Sequence, residues 1–299
     1  MTAVLFTPSA PALDAVTPSR GPRARPAAGL TVLAVSADAI PLAGYLLRHG
    51  PALALVELPR LPLPVGAELG WAAAPAFDRD ELEAVRSSAI DRALTATANV
   101  GFSVHAVETL APGGLRARLC SLRAADVACV VTCGRGARAA RALARAAQAP
   151  VLILPERAAA AGGPAVIDAR EAETLVPAAA RCLATDRAAL VAGYDPVPTG
   201  TLLRSAAHPL LVPRLEQLAA QHRLGELEDA ERSADLAAIV AAEAGLAAER
   251  AVVAEPDALL KVARRREGLV VAADHGGWRA PRALRAALRD RRAALLVPA

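Results

Sequence analysis

The stretch that most constrains this chain runs from Asp126 to Pro155 and is repeated at the far end of the sequence. An apolar run, Val127 to Val131, stops at a small polar turn of Thr132, Cys133, Gly134, Arg135 and Gly136. An alanine- and arginine-rich helix pattern follows to Gln148, and a second apolar run occupies Val151 to Leu154. The closing residues keep this order: an apolar run from Gly268 to Ala273, then Asp274, His275, Gly276, Gly277 and Trp278, a helix pattern through Arg289, and a last apolar run from Ala293 to Val297. Arg138, Arg141 and Leu143 recur at the same spacing as Arg279, Arg282 and Leu284. Short, continuous apolar runs mark strands buried on both faces, as in parallel sheets, and a glycine turn opening a helix marks a β-α-β unit. The chain therefore reads as two copies of one α/β domain.

The order of elements extends this reading. Five prolines between Pro8 and Pro26 oppose both helix and ladder, so residues 1–29 read as a flexible tail. The first copy, 30–157, runs through a strand at Leu30 to Val35, a helix from Ile40 to Arg48, a strand at Ala52 to Leu58, a long loop through Ala76 and a long helix to Ala98. A strand at Phe102 to Val107, a helix from Leu115 to Ala124 and the stretch already described complete it. Ala158 to Gly163 is a small-residue linker. The second copy, 164–299, repeats the order from a strand ending at Asp168, with an additional helix over Val212 to His222 ahead of a long amphipathic one from Glu226 to Ala244. Right-handed crossovers on this order give a parallel sheet with helices on both faces.

Composition excludes several classes. Of 299 residues, 54% are hydrophobic and only 2% aromatic, so the core must be aliphatic. The net charge of +4 does not mark a nucleic-acid binder, because the arginines are spread among acids and few aromatics are present to stack on bases. Lys261 is the only lysine. Cys120, Cys129, Cys133 and Cys182 form no C-x-x-C pair and read as free thiols of a reducing compartment. No leader pattern and no long charge-free apolar run is present, so the expectation is a soluble, cytoplasmic protein without a membrane partner.

With these residues in view, the chain resembles a tandem universal stress protein of the UspA-like kind. The likeness rests on the five-strand order, the polar turn after the first strand, the glycine turn after the fourth and the ending Ala149 to Leu154. It implies two five-stranded parallel open sheets of strand order 3-2-1-4-5, paired as an intramolecular pseudo-dimer through the last strands, Val151 to Leu154 and Ala293 to Val297. It also implies a crevice beyond the carboxyl ends of the first and fourth strands, where ligands of open α/β sheets bind.

In members that bind ATP, the resemblance implies a glycine motif followed after nine residues by Gly and Ser or Thr. Glycines let backbone N–H groups reach phosphates at a helix N-terminus. Both copies depart from it. Gly134 and Gly276 fit the second glycine, but Val131 and Ala273 replace the first, and the distal pair falls on Ala144 and Arg145 or on Ala286 and Ala287.

The candidate crevice residues are Ser36, Asp38, Thr132, Gly134 and Gly136 in the first copy, and Asp168, Asp274, His275, Gly276 and Gly277 in the second. Asp168, Asp274 and His275 are expected to converge; a carboxylate pair beside an imidazole suits a divalent ion or proton transfer, but the favoured reading is a helix cap at Asp274 and a solvated turn residue at His275. Arg135, Arg138, Arg279 and Arg282 read as a solvated face, and Cys133 as a passive small turn residue, with a redox-sensing thiol as the alternative. No hydrolase elbow is present. The expectation is a non-enzymatic regulatory or stress-response protein with weak or lost nucleotide binding, no cofactor, an unidentified regulatory partner and a possible homodimer. The alternative is an ATP-binding member that uses the second crevice.

Overall fold

The computed structural model describes residues 29–57, 79–111, 113–155, 163–194, 212–255, 257–276 and 281–298. The expected flexible tail, the long loop carrying Trp71, the small-residue linker and Gly277 lie outside these residues, apart from Gly29 and Gly163. The strands are β1 (Leu30–Ala34), β2 (Pro51–Glu57), β3 (Ser103–Leu110), β4 (Val127–Cys133), β5 (Val151–Leu154), β6 (Ala165–Asp168), β7 (Arg187–Gly193), β8 (Ala247–Val253), β9 (Leu269–Asp274) and β10 (Ala294–Pro298). The helices are α1 (Ile40–Leu46), α2 (Arg79–Asn99), α3 (Leu115–Cys120), α4 (Ala137–Ala147), α5 (Ala172–Cys182), α6 (Val212–Glu243), α7 (Ala258–Arg266) and α8 (Arg282–Arg289).

All ten strands join one sheet in the order β3-β2-β1-β4-β5-β10-β9-β6-β7-β8. The order is 3-2-1-4-5 over the first five strands. From the opposite edge the remaining five run β8-β7-β6-β9-β10, and the two runs meet where β5 pairs with β10. The two expected five-strand runs are thus continuous as one ten-stranded sheet, joined through the last strand of each. Every pairing is parallel except β5 with β10, which is antiparallel with Leu152 opposite Leu295. The physical reason lies in the strands' own sequences. Each is a short apolar segment that would otherwise end a sheet with an unpaired edge, and pairing them satisfies both ladders at once. Leu152, Ile153, Leu295 and Leu296 are buried.

Side chains alternate between faces along a strand. Burial of nearly every residue in β1, β4, β5, β6, β9 and β10 therefore shows that both faces of the centre are covered. The outermost strand β8 is mostly exposed and carries charges, with Glu249 paired to Arg266 and Arg250 to Asp235. Charged edges discourage pairing with another chain.

Two helices stop short of expectation, α1 at Leu46 rather than Arg48 and α3 at Cys120 rather than Ala124, and the largest difference lies in the second half. The two helices expected over 212–222 and 226–244 are one helix, α6, of 32 residues. Gly225 does not divide them, because a mid-helix glycine costs only about 1 kcal/mol relative to alanine and no proline stands nearby. Ala219, Ala230, Ala234, Ala237 and Ala241 are the buried positions of that helix. Ile239, on the opposite side of that helix, is exposed.

Candidate functional site

The chain order reverses on either side of β1 and again on either side of β6, so two crevices open beyond strand C-termini, one between β1 and β4 and one between β6 and β9. In both, the first strand ends in a short 3-10 turn that feeds a helix. Ser36 heads the turn Ala37–Ala39 before α1, and Asp168 heads the turn Ala169–Glu171 before α5. The two residues stand at equivalent places and behave differently. Asp168 accepts a hydrogen bond from the Arg170 N–H at 3.0 Å, whereas the Ser36 side chain makes no capping bond. Burial pushes the Asp168 carboxyl above its ordinary range, with the neighbouring Glu171 charge adding to it; the Arg170 N–H and guanidinium oppose the shift without cancelling it.

At the first crevice, β4 delivers Thr132 and Cys133 and the chain turns through Gly134 into α4. Gly134 has φ 65°, a conformation that favours glycine. Its N–H donates to the Leu154 carbonyl at 3.1 Å. Gly136 caps α4 through its backbone alone, and Asp38 is an exposed member of the turn after β1. Thr132 is buried between Ala34 and Ile153, and its hydroxyl has no hydrogen-bond partner among the described residues. Arg135 is not a freely solvated cation, since it pairs with Glu57 at the end of β2 at 2.9 Å. Glu57 also accepts from the Gly113 N–H.

The second crevice is built from charge. Asp274 ends β9 and is 5% exposed. The Arg141 guanidinium reaches its Oδ1 from two nitrogens, Nη2 at 2.6 Å and Nε at 2.9 Å, and Arg141 is itself buried. Arg145 approaches Oδ2 at 3.5 Å and also donates to the Gly276 carbonyl at 3.4 Å. The Gly276 N–H donates to Asp274 Oδ1 at 3.3 Å, which the φ of 73° at Gly276 accompanies. Burial by itself would raise the Asp274 pKa; the Arg141 hydrogen bond and charge, with smaller help from Arg145 and Gly276, outweigh it and hold the carboxyl below its ordinary range. Both arginines stand on α4, one turn apart, so the cations come from the first five-strand half and the carboxylate from the second.

His275 turns away from this pair. Its Nε2 lies 2.7 Å from Glu171 Oε1, and its ring is exposed. Asp168, Asp274 and His275 therefore share one end of the sheet while engaging three different partners. No group of three or more His, Cys, Asp or Glu side chains among the described residues is arranged to hold a metal ion.

Sequence reasoning placed Asp168 and Asp274 at strand ends and missed Arg141 and Arg145 as their neighbours. A signal was present. Arg141 falls among Ala140, Leu143, Ala144 and Ala147 on the buried side of α4, where a cation needs a partner. No protein-family model and no curated protein matches this sequence.

Proposed function

We propose that this chain is a non-enzymatic, universal-stress-type regulatory protein whose nucleotide crevices are weak or lost, built from two domains, 30–157 and 164–299. The observation that carries the reading is the Arg141–Asp274 pair. In the second crevice, the one that keeps an acidic residue after its first strand, the carboxylate beside the glycine turn is already engaged by cations of α4. A nucleotide entering there must compete with a buried, multiply hydrogen-bonded ion pair. Breaking such a pair from one side costs about 3–5 kcal/mol. The first crevice offers neutral Ser36 and Thr132 where an acid would be wanted, and its arginine is committed to Glu57.

Pairing of β5 with β10 supports the pseudo-dimer side of the reading, since the contact that joins two chains in a homodimer would here be made within one. Activity then lies in binding a regulatory protein partner in the cytoplasm rather than in turnover.

The test is thermal unfolding with and without millimolar ATP and Mg²⁺. A site filled at a hundred times its dissociation constant stabilises a protein by about 2.7 kcal/mol. The expected result is no shift. A shift that Asp168→Ala abolishes would replace this reading with that of an ATP-binding protein using the second crevice.

A further inference from the structure

Two of the four cysteines serve neither crevice and are buried together where α5 of the second half lies on β4 of the first. Cys129 lies on β4, 1% exposed, and Cys182 is the last residue of α5, 3% exposed. The end of α5 rests on β4, so that the Cys182 thiol donates to the Ala128 carbonyl at 3.4 Å, one residue before Cys129. The two sulfurs also share a hydrogen bond, which Cys182 accepts when it is a thiolate. That bond lowers the Cys182 pKa, and the Arg181 and Arg48 charges assist against the opposing effect of burial. The same bond, with burial, pushes Cys129 well up. The backbone around them is pinned. The Arg48 N–H donates to the Cys182 carbonyl at 2.9 Å, its guanidinium donates to the Leu183 carbonyl at 3.1 Å, and Leu47 bridges Leu183. The two buried thiols thus lie side by side, Cys182 the more acidic of the two, while the Cys129 thiol also donates to the Val130 carbonyl at 3.7 Å.

We propose that Cys129 and Cys182 are a redox-sensitive dithiol that hydrogen peroxide converts to a disulfide, stapling the first half of the sheet to the second. In the first step the Cys182 thiolate attacks one peroxide oxygen. An S–O bond forms, the O–O bond breaks, and the departing hydroxide takes a proton to become water. In the second step the Cys129 sulfur attacks the Cys182 sulfenic acid. The S–S bond forms, the S–O bond breaks, and the leaving hydroxide takes the Cys129 proton. Two thiols and one peroxide give one disulfide and two waters, the sulfurs losing the two electrons that the peroxide gains. The remaining cysteines do not compete for the bond: Cys120 is exposed on α3, and the Cys133 thiol donates to the Pro155 carbonyl at 3.6 Å. Closing the span from 129 to 182 restrains the unfolded chain, so the staple raises stability.

The experiment treats the full chain with hydrogen peroxide, blocks remaining thiols with N-ethylmaleimide under denaturing conditions, and maps unreduced peptides by mass spectrometry. The expected product joins the Cys129 and Cys182 peptides, two hydrogens lighter than their sum and separated by dithiothreitol. The oxidised protein should melt several degrees above the reduced one, and Cys182→Ala should lose that difference. Alkylated Cys129 and Cys182 after treatment, a sulfinic acid on Cys182 without a linked peptide, or a link through Cys120 or Cys133 would each overturn the proposal. The peptide map is made on the unaltered chain, so it decides the matter even where a substitution impairs folding.

Discussion

The two crevices of this sheet sit at equivalent points of the strand order and have opposite chemistry. Between β1 and β4 the chain places a serine that makes no capping bond, a buried threonine hydroxyl without a partner among the described residues, and a three-residue turn, 134–136, into α4. Between β6 and β9 it places two carboxylates and a histidine, and seven residues, 275–281, separate β9 from α8. The charged crevice looks better equipped for a ligand in sequence, yet it is the one whose central carboxylate is already occupied by Arg141 and Arg145. The comparison teaches that a charge at a strand end can belong to the joint between two halves of a molecule as readily as to a ligand site.

Breaking the joint should outweigh any change within a crevice. Leu152→Asp puts a charge into the paired β5 and β10, where Leu152 is 0% exposed. We expect the loss to exceed about 4 kcal/mol, read as a collapsed urea midpoint or as insoluble expression. Retention of the midpoint would mean that the two strands do not carry the joint. Next in size, Asp274→Ala leaves the buried Arg141 uncompensated and should cost about 3–5 kcal/mol in denaturant unfolding. A cost below about 1 kcal/mol would reduce the pair to a surface contact.

Smaller effects separate the carboxylates and the crevices. Asp274 has a depressed pKa, so its stabilisation is complete above the unfolded value of about 3.9 and is lost as pH falls through the folded one. Asp168 has a raised pKa, so its contribution is most favourable below the unfolded value and declines as pH rises through the folded one. Asp168→Asn, which keeps an oxygen for the Arg170 N–H, should therefore stabilise the protein at neutral pH, and Asp274→Asn should destabilise it. Unfolding curves at pH 4 and pH 7 check both signs; the same sign for both would dissolve the contrast. Thr132→Val removes the partnerless buried hydroxyl and should gain about 1 kcal/mol. A loss instead would show that the hydroxyl has a partner. The smallest effect expected is that of ATP with Mg²⁺, which should leave the melting temperature unchanged.

Much of this was legible in the residues. Apolar runs such as Val127 to Val131 and Val151 to Leu154 mark central strands because burial on both faces leaves no room for alternation. Gly134 and Gly276 mark their turns because each adopts a positive φ that other residues resist. The repeat of Arg141 at Arg282 was equally visible and misleading. Arg141 is buried against Asp274, whereas Arg282 is exposed on α8. Identical helix positions receive different environments because the partner lies far away in sequence. The continuity of α6 through Gly225 was hidden for another reason: a glycine weakens a helix without ending it, and only the packing of Ala219 and Ala230 on either side decides.

The sequence by itself determined the alternation of strand and helix, the aliphatic core and the strand-end positions of Ser36, Asp168 and Asp274, because these follow from local periodicity and turn chemistry. Tertiary structure alone decided that β5 and β10 pair antiparallel with Leu152 opposite Leu295, that α4 reaches across to Asp274, and that Cys182 packs beside Cys129. Each of these depends on two segments meeting across a distance over which local pattern carries no information: a helix's period fixes which face it buries, not which charge waits beneath it.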